Sequence, residues 1–152
     1  CDFNANGYRL PTEAEWEFAA RSAGLVAATN WNYKYSGSNK IDDVCWDHIN
    51  SEGKSHQVGL KSPNKLGLYD MSGNVAEWCY DWYSYIQAGE EKNPTGPDYE
   101  TGNKIIRGGS YKQAEISEGN TVDDCLVTYR NYNNPSEKYS NVGFRIARTV
   151  KN

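Results

Sequence analysis

The segment 70–77, with the sequence DMSGNVAE, combines two carboxylates with a glycine turn. Calcium binds about six to eight oxygen atoms, and a tight turn that contains glycine can supply backbone carbonyls beside carboxylates. In this segment Asp70 and Glu77 would offer carboxylates, while Gly73 and Val75 would offer carbonyls. The segment therefore predicts a possible calcium site at these four residues. The alternative is a metal-free turn in which Asn74 and Glu77 bond backbone amides.

The window 111–141 is rich in tyrosine, asparagine and serine, with charges of both signs between them. Tyrosine gives a large contact area at low conformational-entropy cost, and asparagine and serine give adaptable hydrogen bonds. This composition predicts a recognition surface, and a tyrosine-rich surface loop without a ligand is the alternative. The candidate ligand-binding residues are Tyr111, Lys112, Gln113, Glu115, Thr128, Tyr129, Asn131, Tyr132, Asn133, Glu137 and Tyr139.

A recognition surface would place its four tyrosines, at positions 111, 129, 132 and 139, exposed on one face. Phe144 and Trp78 should then be buried in the core. Arg130 is expected to anchor the window rather than to face outward. These expectations distinguish a binding surface from a packing solution.

Catalytic arrangements are weakly supported by the same window. Ser110 has no histidine near it in sequence that could activate it as a nucleophile. No pattern selects a pair among the carboxylates Glu115, Glu118, Asp123 and Asp124, so we interpret them as a solvated acidic loop. The cysteines show no spacing typical of zinc ligands, and Cys45, Cys79 and Cys125 are expected to be buried free thiols.

Length and composition indicate one globular domain over residues 1–152. The chain has 152 residues, 38% of them hydrophobic, and its 12 tyrosines and 5 tryptophans argue against disorder. A net charge of -4 without a basic cluster argues against nucleic acid as a partner. No apolar run is long enough for a transmembrane segment. Fourteen glycines and five prolines indicate a loop-rich fold. The oligomeric state stays open.

Local patterns predict the secondary structure. A helix is expected over residues 11–22, with Thr12 and Glu15 forming a capping box. A second helix or helical turn is possible at Ala76–Tyr80. Strands are expected at Lys104–Arg107 and at Val142–Val150, where apolar residues alternate.

Four segments together resemble the formylglycine-generating-enzyme/sulfatase-modifying-factor domain, a variant of the C-type lectin fold. They are Tyr8–Phe18 (YRLPTEAEWEF), Gly67–Trp82 (GLYDMSGNVAEWCYDW), Arg107–Tyr111 (RGGSY) and Asn141–Arg145 (NVGFR). The resemblance implies an α+β, C-type-lectin-like fold that is loop-rich, with one main helix and short strands. It also places Cys1 at an interior position of the family domain, so the family's amino-terminal portion is expected to be lacking here.

The resemblance has two consequences for metals. Enzymes of the family bind calcium at the positions that match Asp70, Gly73, Val75 and Glu77. The family's oxidases bind copper through a cysteine pair, and the matching positions here are Gln113 and Glu118, with Val122 as a shifted choice for the second. Cys125 is the only thiol in that window, and a copper(I) site needs two soft thiolates. No copper is expected, and the oxidase chemistry should be lost.

The window 111–141 also resembles the variable region of retroelement-diversified variable proteins, which use the same fold. This resemblance implies a non-catalytic binding protein at the cell surface or secreted, with a protein or glycan ligand and a hypervariable carboxy-terminal loop region. A cytoplasmic location stays open. The alternative is a family enzyme of altered chemistry, or a degenerate formylglycine-generating oxidase, with a pocket lined by Ser110, Gln113 and Arg130.

Overall fold

The computed structural model describes residues 1–3, 5–22, 33–86, 88–117 and 120–149, with side chains described outside 114–122. These residues form two helices and eight short strands. They are α1 (Glu13–Ala20), α2 (Ile41–Val44), β1 (Cys45–Trp46), β2 (Ser72–Gly73), β3 (Ala76–Trp82), β4 (Lys104–Arg107), β5 (Ala114–Ser117), β6 (Asn120–Val122), β7 (Arg130–Asn133) and β8 (Val142–Gly143). Within the described ranges, no helix is long and apolar enough to cross a membrane.

Helix α1 begins with the predicted capping box. The Thr12 hydroxyl accepts a hydrogen bond from the Glu15 N–H at 3.2 Å, and the Glu15 carboxylate accepts one from the Thr12 N–H at 2.8 Å. Trp16 and Ala20, four residues apart on one face of the helix, are buried. The helix is shorter than the predicted span 11–22, but its start and its buried face are as expected.

A four-stranded sheet with the order β7–β4–β3–β8 forms the centre of the fold. Strand β4 is antiparallel to both β3 and β7, while β8 runs parallel to β3. The helix considered for Ala76–Tyr80 is wrong, because this segment is the first part of β3. From Glu77 to Trp82 buried and half-buried side chains alternate, as expected for a strand with neighbours on both sides.

The closing strand is much shorter than predicted. Only β8 and a single bridge between Ala147 and Arg9 pair with other strands, and Val150 lies outside the described residues. The expectation of a buried Phe144 is also wrong, since this side chain is 69% exposed, and Trp78 is only half-buried. Arg145 turns inward to bind Glu77, and the side chains before and after it consequently point outward.

Two apolar clusters make up the core. The first joins α1 to the sheet through Trp16, Ala20, Met71, Cys79, Ile105 and Val127. The second joins Tyr35, Val44, Cys45 and Cys125. The three cysteines expected to be buried free thiols are buried and free, while Cys1 is free and exposed.

Candidate functional site

A polar pocket of about 230 Å³ opens beside β4 and β7. We call it the amide pocket, because it contains the side chains of Gln113 and three asparagines. Its lining residues are Ala76, Ile106, Arg107, Gly108, Gly109, Ser110, Lys112, Gln113, Asp124, Tyr129, Asn131, Asn133, Tyr139 and Asn141. Few of these side chains are apolar, so the pocket suits a ligand that makes many hydrogen bonds.

Six of the eleven predicted ligand-binding residues line the amide pocket. They are Lys112, Gln113, Tyr129, Asn131, Asn133 and Tyr139. Asn131 and Asn133 lie on β7, where alternate residues point to the same face of the sheet. Backbone pairing with Ile106 and Lys104 of β4 fixes both positions.

The four tyrosines do not share one exposed face, so that expectation is wrong. Tyr132 lies between the two pocket asparagines on β7 and points to the opposite face, where its ring lies 4.1 Å from the ring of Tyr83. Tyr111 is only 8% exposed, and its hydroxyl donates to the Ser140 carbonyl at 3.4 Å. Tyr129 and Tyr139 are half-buried and line the pocket.

The remaining predicted residues lie outside the lining. Thr128 and Glu137 are exposed. The Glu137 carboxylate accepts a hydrogen bond from the Tyr139 hydroxyl at 3.0 Å and so orients a ring of the pocket. The side chain of Glu115 lies outside the described residues, and its role stays a prediction.

Asp124 is a buried carboxyl group of the amide pocket that sequence reasoning missed. It is 9% exposed, so the interpretation as a solvated acidic residue is wrong. Burial raises the pKa of Asp124 to about 7, although the Cys125 thiol donates to its Oδ1 at 3.7 Å. Gly109 explains the burial, because a Cβ there would lie 2.6 Å from the Asp124 carbonyl group. Two chain segments pack too closely for any other residue.

Ser110 is held as a structural hydroxyl. Its Oγ donates to the Lys112 carbonyl at 3.1 Å and accepts from Asn141 Nδ2 at 3.1 Å and from the Lys112 N–H at 3.2 Å. None of these groups can take a proton from the hydroxyl. No hydrogen bond within the described residues joins the Ser110 hydroxyl to a base, which a nucleophilic serine requires.

Arg130 anchors β7 to helix α1, as expected. Its guanidinium binds both oxygens of Glu13, at 2.6 and 2.7 Å, and it lines a different cleft from the amide pocket. The alternative hypothesis placed Arg130 in one pocket with Ser110 and Gln113, and the structure separates it from them. Arg107 ties β4 to the same helix through Glu17, at 2.5 Å.

The residues predicted to hold calcium do not fit a metal ion as they stand. Arg145 binds both oxygens of the Glu77 carboxylate, at 2.5 and 2.6 Å, and Trp16 Nε1 donates to one of them at 2.7 Å. Asp70 Oδ2 accepts from the Gly59 N–H, which leaves Asp70 Oδ1 as a buried oxygen without a partner. Across the described chain, no three side chains of histidine, cysteine, aspartate or glutamate converge. Calcium binding stays a prediction. The Glu77 carboxylate that it would use is paired with the Arg145 guanidinium.

Two positions match the copper-binding cysteine pair of the family's oxidases. The first is Gln113, which has no thiol, and the second, Glu118, lies outside the described residues. The structure instead places Cys45 beside Cys125, a contact between distant segments that the sequence did not indicate. Contact with the Cys45 thiol and burial raise the pKa of the Cys125 thiol, which disfavours the thiolate that metal binding needs.

Comparisons with known proteins agree with this architecture. A sequence profile of the sulfatase-modifying factor enzyme 1-like domain matches residues 2–150. The solved structure of Treponema denticola variable protein 1 superposes with a TM-score of 0.81 at 39% identity, over 97% of this chain and 49% of that one. The predicted α+β, C-type-lectin-like fold is thereby confirmed.

Several curated relatives match nearly the whole chain, and two of them illustrate the range. A formylglycine-generating enzyme of Streptomyces coelicolor is 34% identical over 93% of this chain and 46% of its own length. A protein named serine/threonine-protein kinase Pkn1 in Chlamydia pneumoniae is 37% identical over 97% of this chain and 23% of its own length. The chain therefore spans less than half of either relative. It belongs to the sulfatase-modifying factor enzyme 1-like family, as its sequence motifs indicated.

Proposed function

We propose that the chain is a non-catalytic recognition protein that binds a protein or glycan ligand in the amide pocket. Cell-surface display or secretion is part of the proposal. The observation that carries it is the convergence of six predicted contact residues on one pocket. Amides, hydroxyls and tyrosine rings supply donors, acceptors and flat contact area to such ligands.

The frame of the pocket supports a binding role. Asn131 and Asn133 sit on a paired strand, and Tyr139 is oriented by Glu137. A site on regular elements presents its contacts with little ordering cost, which favours affinity. The likeness to a variable protein, at a TM-score of 0.81, also favours recognition over catalysis.

Retroelement diversification of the window 111–141 is a separable part of the proposal. Its support is the asparagine and tyrosine content of the pocket positions and the resemblance to variable proteins. The neighbouring DNA should contain a reverse-transcriptase gene and an adenine-mutated repeat of this window. A locus without both would remove diversification and leave the binding proposal intact.

A family enzyme of altered chemistry is the second candidate. It is favoured by 34% identity to a formylglycine-generating enzyme and by a buried carboxyl group, Asp124, whose pKa of about 7 suits proton transfer. The test is an assay with a cysteine-containing sulfatase peptide, with and without copper. Turnover that Asp124→Asn abolishes would overturn the non-catalytic proposal.

The binding proposal is tested by screening the chain against a printed glycan array and a displayed peptide library. Asn131→Ala and Asn133→Ala should each lower the affinity for the selected ligand about tenfold, because each removes one or two buried hydrogen bonds. Asn6→Ala is the matched control, because Asn6 is exposed and lies outside the pocket. Ligands that bind both pocket variants as well as the parent chain would contradict the proposal.

A further inference from the structure

A second cleft lies between helix α1 and the segment 83–99, and it encloses about 810 Å³. We call it the tyrosine cleft, because its wall includes Tyr83, Tyr85 and Tyr99. It shares no lining residue with the amide pocket. The function proposed above makes no use of it.

The wall of the tyrosine cleft is mainly apolar. Pro94 and Pro97 add to the tyrosine rings, and Tyr85, Ile86 and Tyr99 expose most of their surface. Grouped exposed apolar side chains of this kind mark binding sites more often than chance. The wall thus suits the apolar body of a ligand.

Asp81 supplies a buried carboxylate at this wall. It is 5% exposed and has no ion pair with any residue the structure describes. Its Oδ2 accepts from the Glu13 N–H at 2.8 Å, at the start of α1. Its Oδ1 faces Gly96 in the cleft wall, since a Cβ on Gly96 would lie 3.4 Å from it. Gly96 therefore packs against this oxygen, and Asp81 is itself one of the residues that line the cleft.

The charged neighbours of Asp81 are engaged elsewhere. Glu13 is paired with Arg130, and Glu17 with Arg107. Lys104 of β4 donates to the Tyr80 carbonyl, and its ammonium lies 4.1 Å from the Trp82 ring. Lys104 lowers the pKa of Asp81 through space but forms no ion pair with it, so Asp81 has no direct counter-ion among the described residues. A buried charge without a partner is costly.

One cation of the protein itself, the Arg130 guanidinium, already lies in the cleft between a carboxylate and a tyrosine ring. The Arg130 guanidinium lies 5.5 Å from the Tyr83 ring centroid while it binds the Glu13 carboxylate. A carboxylate beside a tyrosine face is a favourable site for an organic cation, because ion pairing and the ring quadrupole add. Asp81, Tyr85 and Tyr99 supply the same kinds of group elsewhere in the cleft lining.

We infer that the tyrosine cleft binds an organic cation, an ammonium group on an apolar body. The ammonium contacts Asp81, and the apolar body packs on the tyrosine and proline wall. Charge complementarity selects this class, since a neutral or anionic ligand would leave Asp81 unpaired. Burial raises the pKa of Asp81 to about 6, so the carboxylate is ionised at neutral pH.

The test is an NMR titration of the isotope-labelled chain with phenethylammonium at neutral pH. Phenethyl alcohol and phenylpropionate serve as the neutral and anionic probes of similar shape. The ammonium ion should shift the resonances of residues 81–99 saturably and bind at least about tenfold more tightly than the alcohol, the value of one charge-assisted hydrogen bond. Equal binding of the amine and the alcohol, or no saturable shift with the amine, would overturn the inference.

Variants test the two parts of the site separately. Asp81→Asn keeps an acceptor for the Glu13 N–H but removes the charge, and it should lose about tenfold in affinity. Asp98→Asn is the matched control, because Asp98 is exposed in the same segment and does not line the cleft. Tyr99→Ala removes part of the wall at an exposed position, so it still decides the question if Asp81→Asn fails to fold. Unchanged affinity in either cleft variant, or an equal loss in the control, would overturn the inference.

Discussion

Glu77 and Asp124 are both buried carboxyl groups, but the protein stabilises them in opposite ways. Glu77 receives three charged or polar donors from Arg145 and Trp16, so its negative charge is compensated. Asp124 receives a thiol and no cation among the described side chains, and burial raises its pKa to about 7. The first group holds the fold together. The second makes its stability depend on pH near neutrality.

Asp124 should make the protein more stable as the pH falls from about 8 to about 5. In this window the folded chain takes up a proton on Asp124, whereas the unfolded chain, with an ordinary pKa of 3.8, stays ionised. The folded state then binds more protons, and the free energy of unfolding rises as pH falls. Asp81, with its pKa raised to about 6, acts in the same direction at the lower end.

Calorimetric melting temperatures across this window check the prediction. The parent chain should melt at a higher temperature at the acid end, and Asp124→Asn should show a much smaller slope above about pH 6. Asp98→Asn, an exposed carboxylate variant, should keep the slope of the parent chain. A slope that survives in Asp124→Asn would assign the effect to other groups.

If the Arg145–Glu77 pair stays intact, calcium should leave the melting temperature of the parent chain unchanged, and the predicted calcium site does not form. A ligand bound by the folded state alone would raise it, but Arg145 already neutralises Glu77, and displacing a paired guanidinium is costly. The measurement compares melts in the presence of calcium and of a chelator, on protein of known metal content. A melting temperature that rises with calcium would show that Asp70, Gly73, Val75 and Glu77 bind the ion in spite of Arg145.

At the scale of elements, α1 supports both the amide pocket and the tyrosine cleft. Its Glu13 and Glu17 receive Arg130 of β7 and Arg107 of β4, so the strands that frame the amide pocket are attached to one helix. The same helix forms a wall of the tyrosine cleft. The position of α1 is therefore set by side-chain ion pairs as well as by the buried ring of Trp16.

Thr12→Ala should destabilise the protein by about 1 kcal/mol, because it removes the hydroxyl that caps α1. For a chain of this length the loss corresponds to roughly 2–4 °C in melting temperature. Thr128→Ala is the control, since Thr128 is exposed and should change the melting temperature little. An equal, small effect in the two variants would mean that the capping box adds no stability here.

The elements also show which structural features a sequence can predict. The capping box was predictable because Thr12 and Glu15 are three residues apart, so the signal is local. The first part of β3 was predicted as a helix because the strand it pairs with, β4, lies far along the chain. Asp124 was missed for the same reason, since its burial depends on Gly109 in another segment. Composition alone was enough to predict Asn131 and Asn133 as pocket residues. Only the strand pairing shows that Tyr132, between them, points to the other face of the sheet.

At the scale of the whole molecule, the amide pocket and the tyrosine cleft differ in chemistry. The amide pocket is small and lined by hydrogen-bonding groups. The tyrosine cleft is larger and mainly apolar, and its carboxylates Asp81 and Glu91 form no ion pair with any described residue. β7 separates them, because Arg130 faces the cleft and Asn131 and Asn133 face the pocket. The second core cluster, which contains Cys45 and Cys125, lies behind Asp124 and keeps two thiols from solvent.

One thiol per chain should react with Ellman's reagent in the folded state. Cys1 is exposed, whereas Cys45, Cys79 and Cys125 are buried, and burial raises the pKa of Cys79 and, with the Cys45 contact, of Cys125. All four cysteines of the chain should react in denaturant. Cys1→Ser is the control, which should remove the fast reaction alone. Fast reaction of a second thiol in folded Cys1→Ser would contradict the buried cluster.

Side chains of β7 point alternately to the two faces of the sheet, so substitutions on this strand have two kinds of effect. Asn131 and Asn133 contribute only side chains to the pocket, and the strand is held by backbone bonds to β4 that any residue except proline can make. Under the proposed binding function, exchange at these two positions would alter the ligand that is bound and leave the strand pairing in place. Exchange at Arg130 would break the bonds to Glu13 and so weaken the attachment of β7 to α1. If the amide pocket binds a ligand as proposed, its specificity can therefore change at two alternate positions of this strand with little loss of stability.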